Sequence, residues 1–317
     1  DGTHGRELWT LNPSQITCGS SSSTSIPPSI HGTFVNITGK HNTSVAVGDL
    51  HACAVTGSSL SCWGKETVGA LGDGSPLTTN SSTPLTVTSP TGWTPIDVSA
   101  NHDGTCAVYR NATDTKRIYC WGDFYVIGDG GVFRGDHHEP DNPVNWNITE
   151  ASAIELGFTS SELTVAPHDV EEITMGQSFT CARSYEGMVK CWGYNGYGEL
   201  GIGNSTSVGN NLHEMGENQA FTDLGSNLSA VDIDAGQHHA CAAMASGEVR
   251  CWGYGQNYRL GTSSTHNRGD NANEMGDNMY ALVPPGSEKF VEVSTSQDAS
   301  CARTDAGNVH CWGEGSY

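Results

Sequence analysis

Positive charge is scarce in this chain. Only 14 Lys and Arg stand against 35 Asp and Glu, leaving a formal net charge of −21 at pH 7. Phosphate backbones are held by clustered basic side chains, so nucleic acid is excluded as a partner. Long apolar runs are missing too: none approaches the ~20 residues that a membrane-spanning helix needs. The signatures of catalysis are equally absent. There is no GxSxG elbow, no GxxxxGKS/T phosphate loop and no GxGxxG between a strand and a helix. "HEMGE" (His213 to Glu217) resembles the HExxH zinc-protease helix only superficially, because Glu217 stands where the second His belongs. No enzymatic activity and no resident cofactor are expected.

Cysteine is plentiful, yet no pair has the CxxC spacing of a zinc ribbon. All but Cys18 fall into short-range pairs: Cys53 with Cys62, Cys106 with Cys120, Cys181 with Cys191, Cys241 with Cys251 and Cys301 with Cys311. Such pairs fit disulfides, which persist in secretory and extracellular compartments. Cys18 is left over, free or bonded between molecules. The sequons agree with an extracellular glycoprotein. Asn36, Asn42, Asn80, Asn111, Asn147, Asn204 and Asn227 each open an N-x-S/T triplet without proline.

The second cysteine of each pair is followed by Trp-Gly, and these markers recur about 60 residues apart, enough for a four-stranded unit. Within a unit, alternating "AVDIDAG" (Ala230 to Gly236) precedes "HHACAAM", a turn at Ala245-Ser246-Gly247, and the return "EVRCWG". Period-2 alternation on both sides of a Gly-bearing turn is a β-hairpin. Each disulfide then staples one hairpin. The Trp after it points to the opposite face, where a large ring packs between neighbouring sheets. The longer second pair places its extra residues, and the sequon at Asn111, at a hairpin tip. A third element recurs as "GALGDG", "GELGIGN" and "YRLGTSS", followed by acidic loops such as "VGNNLHEMGEN" and "NRGDNANEMGDN".

Units of the form "GQHHACAAMASGEVRCWGYGQNYRLG" resemble the regulator of chromosome condensation repeat, and the "EMGEN" and "EMGDN" loops resemble its secreted, disulfide-bearing branch. The resemblance implies an all-β fold, a β-propeller of four-stranded blades, with five to seven blades. It is a single domain over 1–317: residues 1–14 close the last blade, 15–44 are irregular, and 45–317 hold five repeat units. "HGRELWTLNPS" parallels "NGYGELGIGNS", so Leu8 is expected beside the strand of Cys311, closing the ring. The founding member of the family acts as an exchange factor for a nuclear GTPase on chromatin. That activity is not carried over, because disulfides do not persist in a nucleus and no basic tail is present.

Two minor motifs remain. Arg-Gly-Asp occurs at Arg134 to Asp136 and Arg268 to Asp270, aligned within the repeat, and reads as a loop brace rather than an adhesion motif. Asp270, Asn273, Glu274 and Asp277 supply oxygen donors, which leaves calcium open as a ligand beside a plain solvated rim. The expected function is a structural or assembly module of an extracellular layer, filament or appendage, with other proteins or further copies of the chain as partners. The alternative is a secreted propeller that binds protein or carbohydrate as an adhesin, lectin or inhibitor.

Overall fold

A computed structural model of the chain describes residues 9–11, 43–66, 69–74, 80–102, 104–122, 170–209, 211 and 214–314. Its strands follow the hairpin rhythm of the sequence. The first sheet holds β2 (Thr43–Val47), β3 (His51–Thr56), β4 (Ser59–Gly64) and β5 (Ser81–Val87). The second holds β6 (Trp93–Ala100), β7 (Gly104–Asn111) and β8 (Lys116–Gly122). The third is β9 (Val170–Met175), β10 (Phe179–Ser184) and β11 (Val189–Gly193), and the fourth is β12 (Ala230–Ala235), β13 (His239–Met244) and β14 (Val249–Gly253). The fifth is β15 (Phe290–Thr295), β16 (Ala299–Thr304) and β17 (Val309–Gly313), joined at its outer side by β1 (Trp9–Leu11). Trp9 lies opposite Cys311 and Leu11 opposite Val309. Leu8 lies outside the described residues. Every pairing is antiparallel, as hairpin connections demand. Among the described residues no helix is long and apolar enough to cross a membrane.

The cysteines of each pair face each other across a hairpin. Cys53 stands opposite Cys62, Cys106 opposite Cys120 and Cys181 opposite Cys191. Cys241 stands opposite Cys251 and Cys301 opposite Cys311. All five pairs are disulfide-bonded, with Cα atoms 4.0–4.1 Å apart. That closeness is characteristic of facing residues between ladder hydrogen bonds. The sulfur of Cys191 also takes the Thr222 hydroxyl at 3.4 Å, and its carbonyl takes the Gln219 amide at 2.8 Å. Cys191 thus ties its hairpin to the loop that follows, a role its spacing from Cys181 did not announce.

The sheets stack in chain order through their first strands, β2 on β6, β6 on β9, β9 on β12 and β12 on β15. The tryptophans lock the stack. The Trp121 indole donates to the Ala70 carbonyl at 3.0 Å, Trp252 to Glu199 at 2.8 Å and Trp312 to Arg259 at 2.9 Å. Each acceptor sits in the Gly-x-Leu-Gly loop of the preceding repeat, whose Leu71, Leu200 and Leu260 are buried. A buried indole must place its one donor, and here that donor fixes one repeat on the next.

Four strands per sheet were expected, but the three middle sheets have three. Where a fourth strand would run there are isolated bridges, Gly193 to Val208, Val249 to Leu282 and Gly253 to Arg268. The reason is local satisfaction of the backbone. Glu214 accepts the N–H groups of Gly209 and Asn211, both at 3.0 Å, and Glu274 those of Gly269 and Asn271, both at 3.1 Å. Asn195 accepts from Leu200 and donates to the carbonyls of Asn204 and Thr206. A segment whose polar groups are already bonded to side chains gains little from a ladder.

Candidate binding site

Two concave or ring-rich places stand out: the axial wall and one loop face. The axial wall is the row of first strands. A cavity of about 360 Å³ is lined by β2, β6, β9 and β12 and includes Asp97, Glu172, Thr174 and Asp234. These carboxyls are already engaged. Glu172 Oε2 accepts the Ile233 N–H at 3.3 Å and the Arg183 Nε–H at 2.8 Å. Asp232 accepts the Val293 N–H at 2.7 Å, and Asp234 takes Thr295 N–H at 2.6 Å and Thr174 Oγ1–H at 2.8 Å. Asp97 takes the Ser44 hydroxyl at 2.6 Å and the Ile173 N–H. Burial raises the pKa of Asp97, Asp232 and Asp234. Glu172 is pushed up to about 8, by burial first and then by the charge of Asp232, with Arg183 pulling the other way. The cavity is therefore walled by clamps between repeats, not by free ligands. Its alternation of apolar and acidic positions was visible in "AVDIDAG", but their role as inter-repeat clamps needed the sheets side by side.

The loop face is different. Tyr194 and Tyr197 come from the loop after β11, His238 from the β12–β13 turn, and Tyr254 from the loop after β14. Tyr197 lies 4.5 Å from Tyr254 between centroids, with His238 5.3 Å away edge-on and Tyr194 at 6.1 Å. All four are half-buried. The Arg259 guanidinium stacks 4.8 Å over Tyr254. It is anchored on the Gln256 and Gln297 carbonyls and on Asp298. Beneath the rings Glu199 is fully buried. Its Oε2 accepts the Tyr197 N–H at 2.8 Å, and its Oε1 lies 3.4 Å from His238 Nδ1. Asn257 and Tyr258 have φ of 60° and 58°, a left-handed conformation that non-glycine residues hold only where surroundings enforce it. Preorganised tyrosines beside an anchored arginine are the residue types that carry binding energy at protein interfaces. Nothing in the sequence reading singled these residues out. The recurrence of Tyr after Trp-Gly at Tyr194 and Tyr254 was the available signal.

The candidate calcium residues are placed as loop braces. Glu274 holds two backbone N–H groups, Asp270 accepts from the Asn267 and Asn271 side chains, and Asp277 takes the Ser226 N–H and hydroxyl, each at 2.8 Å. Asn273 adopts φ 66° at the loop turn. No group of three or more His, Cys, Asp or Glu side chains gathers among the described residues. In the second Arg-Gly-Asp, Arg268 is paired through its backbone with Gly253. The first, at Arg134 to Asp136, lies outside the described residues. Asn80, Asn204 and Asn227 are exposed, and Asn111 is half-buried at the β7–β8 tip. Cys18, Asn36, Asn42 and Asn147 lie outside the described residues.

Comparison with known proteins places these features in context. The "Regulator of chromosome condensation (RCC1) repeat" matches residues 170–199 and 230–259. The mitochondrial RCC1 domain-containing protein RUG3 of Arabidopsis thaliana is 28% identical over 271 residues, covering 85% of this chain and 53% of that protein. The ultraviolet-B receptor UVR8 of the same plant is 28% identical over 199 residues, covering 60% of this chain and 36% of that protein. The chain thus spans about half or less of the length of these relatives. Among solved structures, Prp20p from Saccharomyces cerevisiae, studied with its binding to Gsp1p and histones, superposes with a TM-score of 0.60 at 19% identity. The match covers 85% of this chain and 56% of that one, and at this identity it shows the fold alone.

Proposed function

We propose that this chain, a β-propeller of regulator of chromosome condensation repeats, works as a non-catalytic protein-binding module of an extracellular glycoprotein. One observation carries the reading: the Tyr194, Tyr197, His238 and Tyr254 cluster, held in place by Glu199 and Arg259 across two repeats. Half-buried rings fixed in advance lose little conformational freedom on binding. The acidic surface favours a basic partner. The five disulfides support an oxidising compartment, and the exposed sequons support glycosylation there. Protein binding in the yeast relative lends the same direction.

The test uses the chain immobilised against proteins of its own extracellular fraction. A Tyr197→Ser/Tyr254→Ser variant should lose what the unaltered chain retains specifically. Equal capture by both would set the loop face aside. Free thiols in two or more cysteine pairs of the native material would defeat the extracellular placement.

A second reading, a structural or assembly module of a layer, filament or appendage, is favoured by the exposure of Val45 and Val47 on the first sheet.

A further inference from the structure

The four described junctions between sheets are built alike. In each, an oxygen on one first strand accepts the backbone N–H of an aliphatic residue on the next: Ser44 from Val98, Asp97 from Ile173, Glu172 from Ile233 and Asp232 from Val293. Each of those aliphatic residues is covered, with exposures of 4%, 5%, 3% and 5% in the same order.

At the two ends of the row the same parts lie uncovered. On the first sheet Val45 stands where Val98 stands on the second, and it is 49% exposed, with Val47 at 72%. Trp63, the counterpart of the locking tryptophans, has no acceptor for its indole N–H among the described residues. On the last sheet Glu292 pairs with Arg303 as Glu172 pairs with Arg183. Only Glu172 also holds a backbone N–H of a following sheet. The Glu292 side chain is correspondingly open, 53% exposed against 22% for Glu172. One end offers an uncovered valine N–H, and the other offers an uncovered carboxylate of the type that accepts it.

We propose that these two ends bind each other between copies of the chain. The first sheet of one copy seats on the last sheet of a second, with Glu292 of the partner subunit accepting the Val45 N–H. The occupant is a second copy because both halves of the interface belong to this one chain, and β15 of the same chain leaves Val45 and Val47 exposed. Such an interface is head-to-tail: it uses two different surfaces, so each added copy leaves a fresh end, giving a larger ring or a filament. It repeats the repeat-to-repeat junction across a molecular boundary, as stacked repeats do within a chain. The inference rests on the assembly reading above.

Light scattering on the full chain over a concentration series tests that reading first. The mass should rise with concentration above that of one glycosylated chain, and a constant single-chain mass would overturn both. If association occurs, Val47→Asp should abolish it; association unchanged by that substitution would overturn the end-to-end interface alone. A Val45→Cys/Glu292→Cys variant in a Cys18→Ser background, treated with a short bis-maleimide, supplies the second readout. Dimers and higher ladders on a denaturing gel are expected. A crosslink confined to single chains would mean that the ring closes on itself, and no crosslink would mean that the two ends do not meet. Either result overturns the proposal.

Discussion

Trp252 shows how much one residue does in this fold. Its ring is fully buried between the third and fourth sheets, and its N–H reaches the Glu199 carbonyl of the preceding repeat. Burial and hydrogen bond can be separated by substitution. Trp252→Phe keeps most of the ring and leaves the carbonyl without its donor, for an expected loss of about 1–2 kcal/mol. Trp252→Ala also opens a cavity, for an expected loss of roughly 3–5 kcal/mol. Chemical denaturation of the two variants measures both. A Phe variant as stable as the parent would show that the ring alone holds the junction. The same scale holds what sequence reasoning reached least. A Trp after each second cysteine was readable as packing between sheets, whereas its acceptor, 53 residues earlier for Trp252 and Trp312, was not. Period and composition carry no information about which carbonyl a loop turns inward. The Tyr197, Tyr254 and His238 cluster escaped for the same reason: its members come from separate repeats and meet only once the sheets are stacked.

At the level of elements the hairpins were legible because two independent signals coincide, alternation around a Gly-bearing turn and cysteines at matching distance from it. The outer strand was not legible. Segments such as "GELGIGN" look strand-like by position, but Asn195, Glu214 and Glu274 satisfy the following backbone from side chains. A Glu that accepts two N–H groups looks in sequence like any surface carboxylate. The hairpin reading carries its own measurable consequence. The bond between Cys241 and Cys251 closes a segment with a sequence separation of 10, which in the chain-entropy account contributes roughly 2–3 kcal/mol. The double replacement Cys241→Ala/Cys251→Ala should lower stability by about that amount. It should also raise amide exchange in β13 and β14 before the rest of the molecule, since repeat arrays open locally. Uniform exchange across all sheets would indicate that the bond supports the array as a whole.

Across the whole molecule the first strands form one electrostatic unit, since Asp97, Glu172, Asp232, Asp234 and Glu292 recur along the axial wall and three of them clamp the N–H of the neighbouring repeat. Glu172 and Asp232 sit close enough to share a hydrogen bond, so burial and mutual repulsion both favour keeping a proton between them. A carboxyl whose pKa rises from 4.5 to about 8 on folding binds more protons in the native than in the unfolded chain throughout that interval. Its contribution to stability is complete below the ordinary carboxylate range and is lost as pH rises through about 8. His239 has the opposite sign. Burial first, then Arg259 and His238, lower its pKa from 6.5 to about 3, so its contribution is present above 6.5 and declines as the medium turns acid. Below pH 6.5 the two oppose each other; between 6.5 and 8 the histidine is neutral in both states and the carboxyl pair acts alone. The melting temperature should therefore fall as pH is raised across that upper window, which a thermal scan at constant ionic strength measures directly. Glu172→Gln should flatten the slope, because the amide accepts from Ile233 and Arg183 and donates to Asp232 without releasing a proton. A melting temperature that stays level or climbs from pH 6.5 to 8 in the unaltered chain would mean that the pair is already ionised, and that the clamps hold as charged carboxylates backed by Arg183.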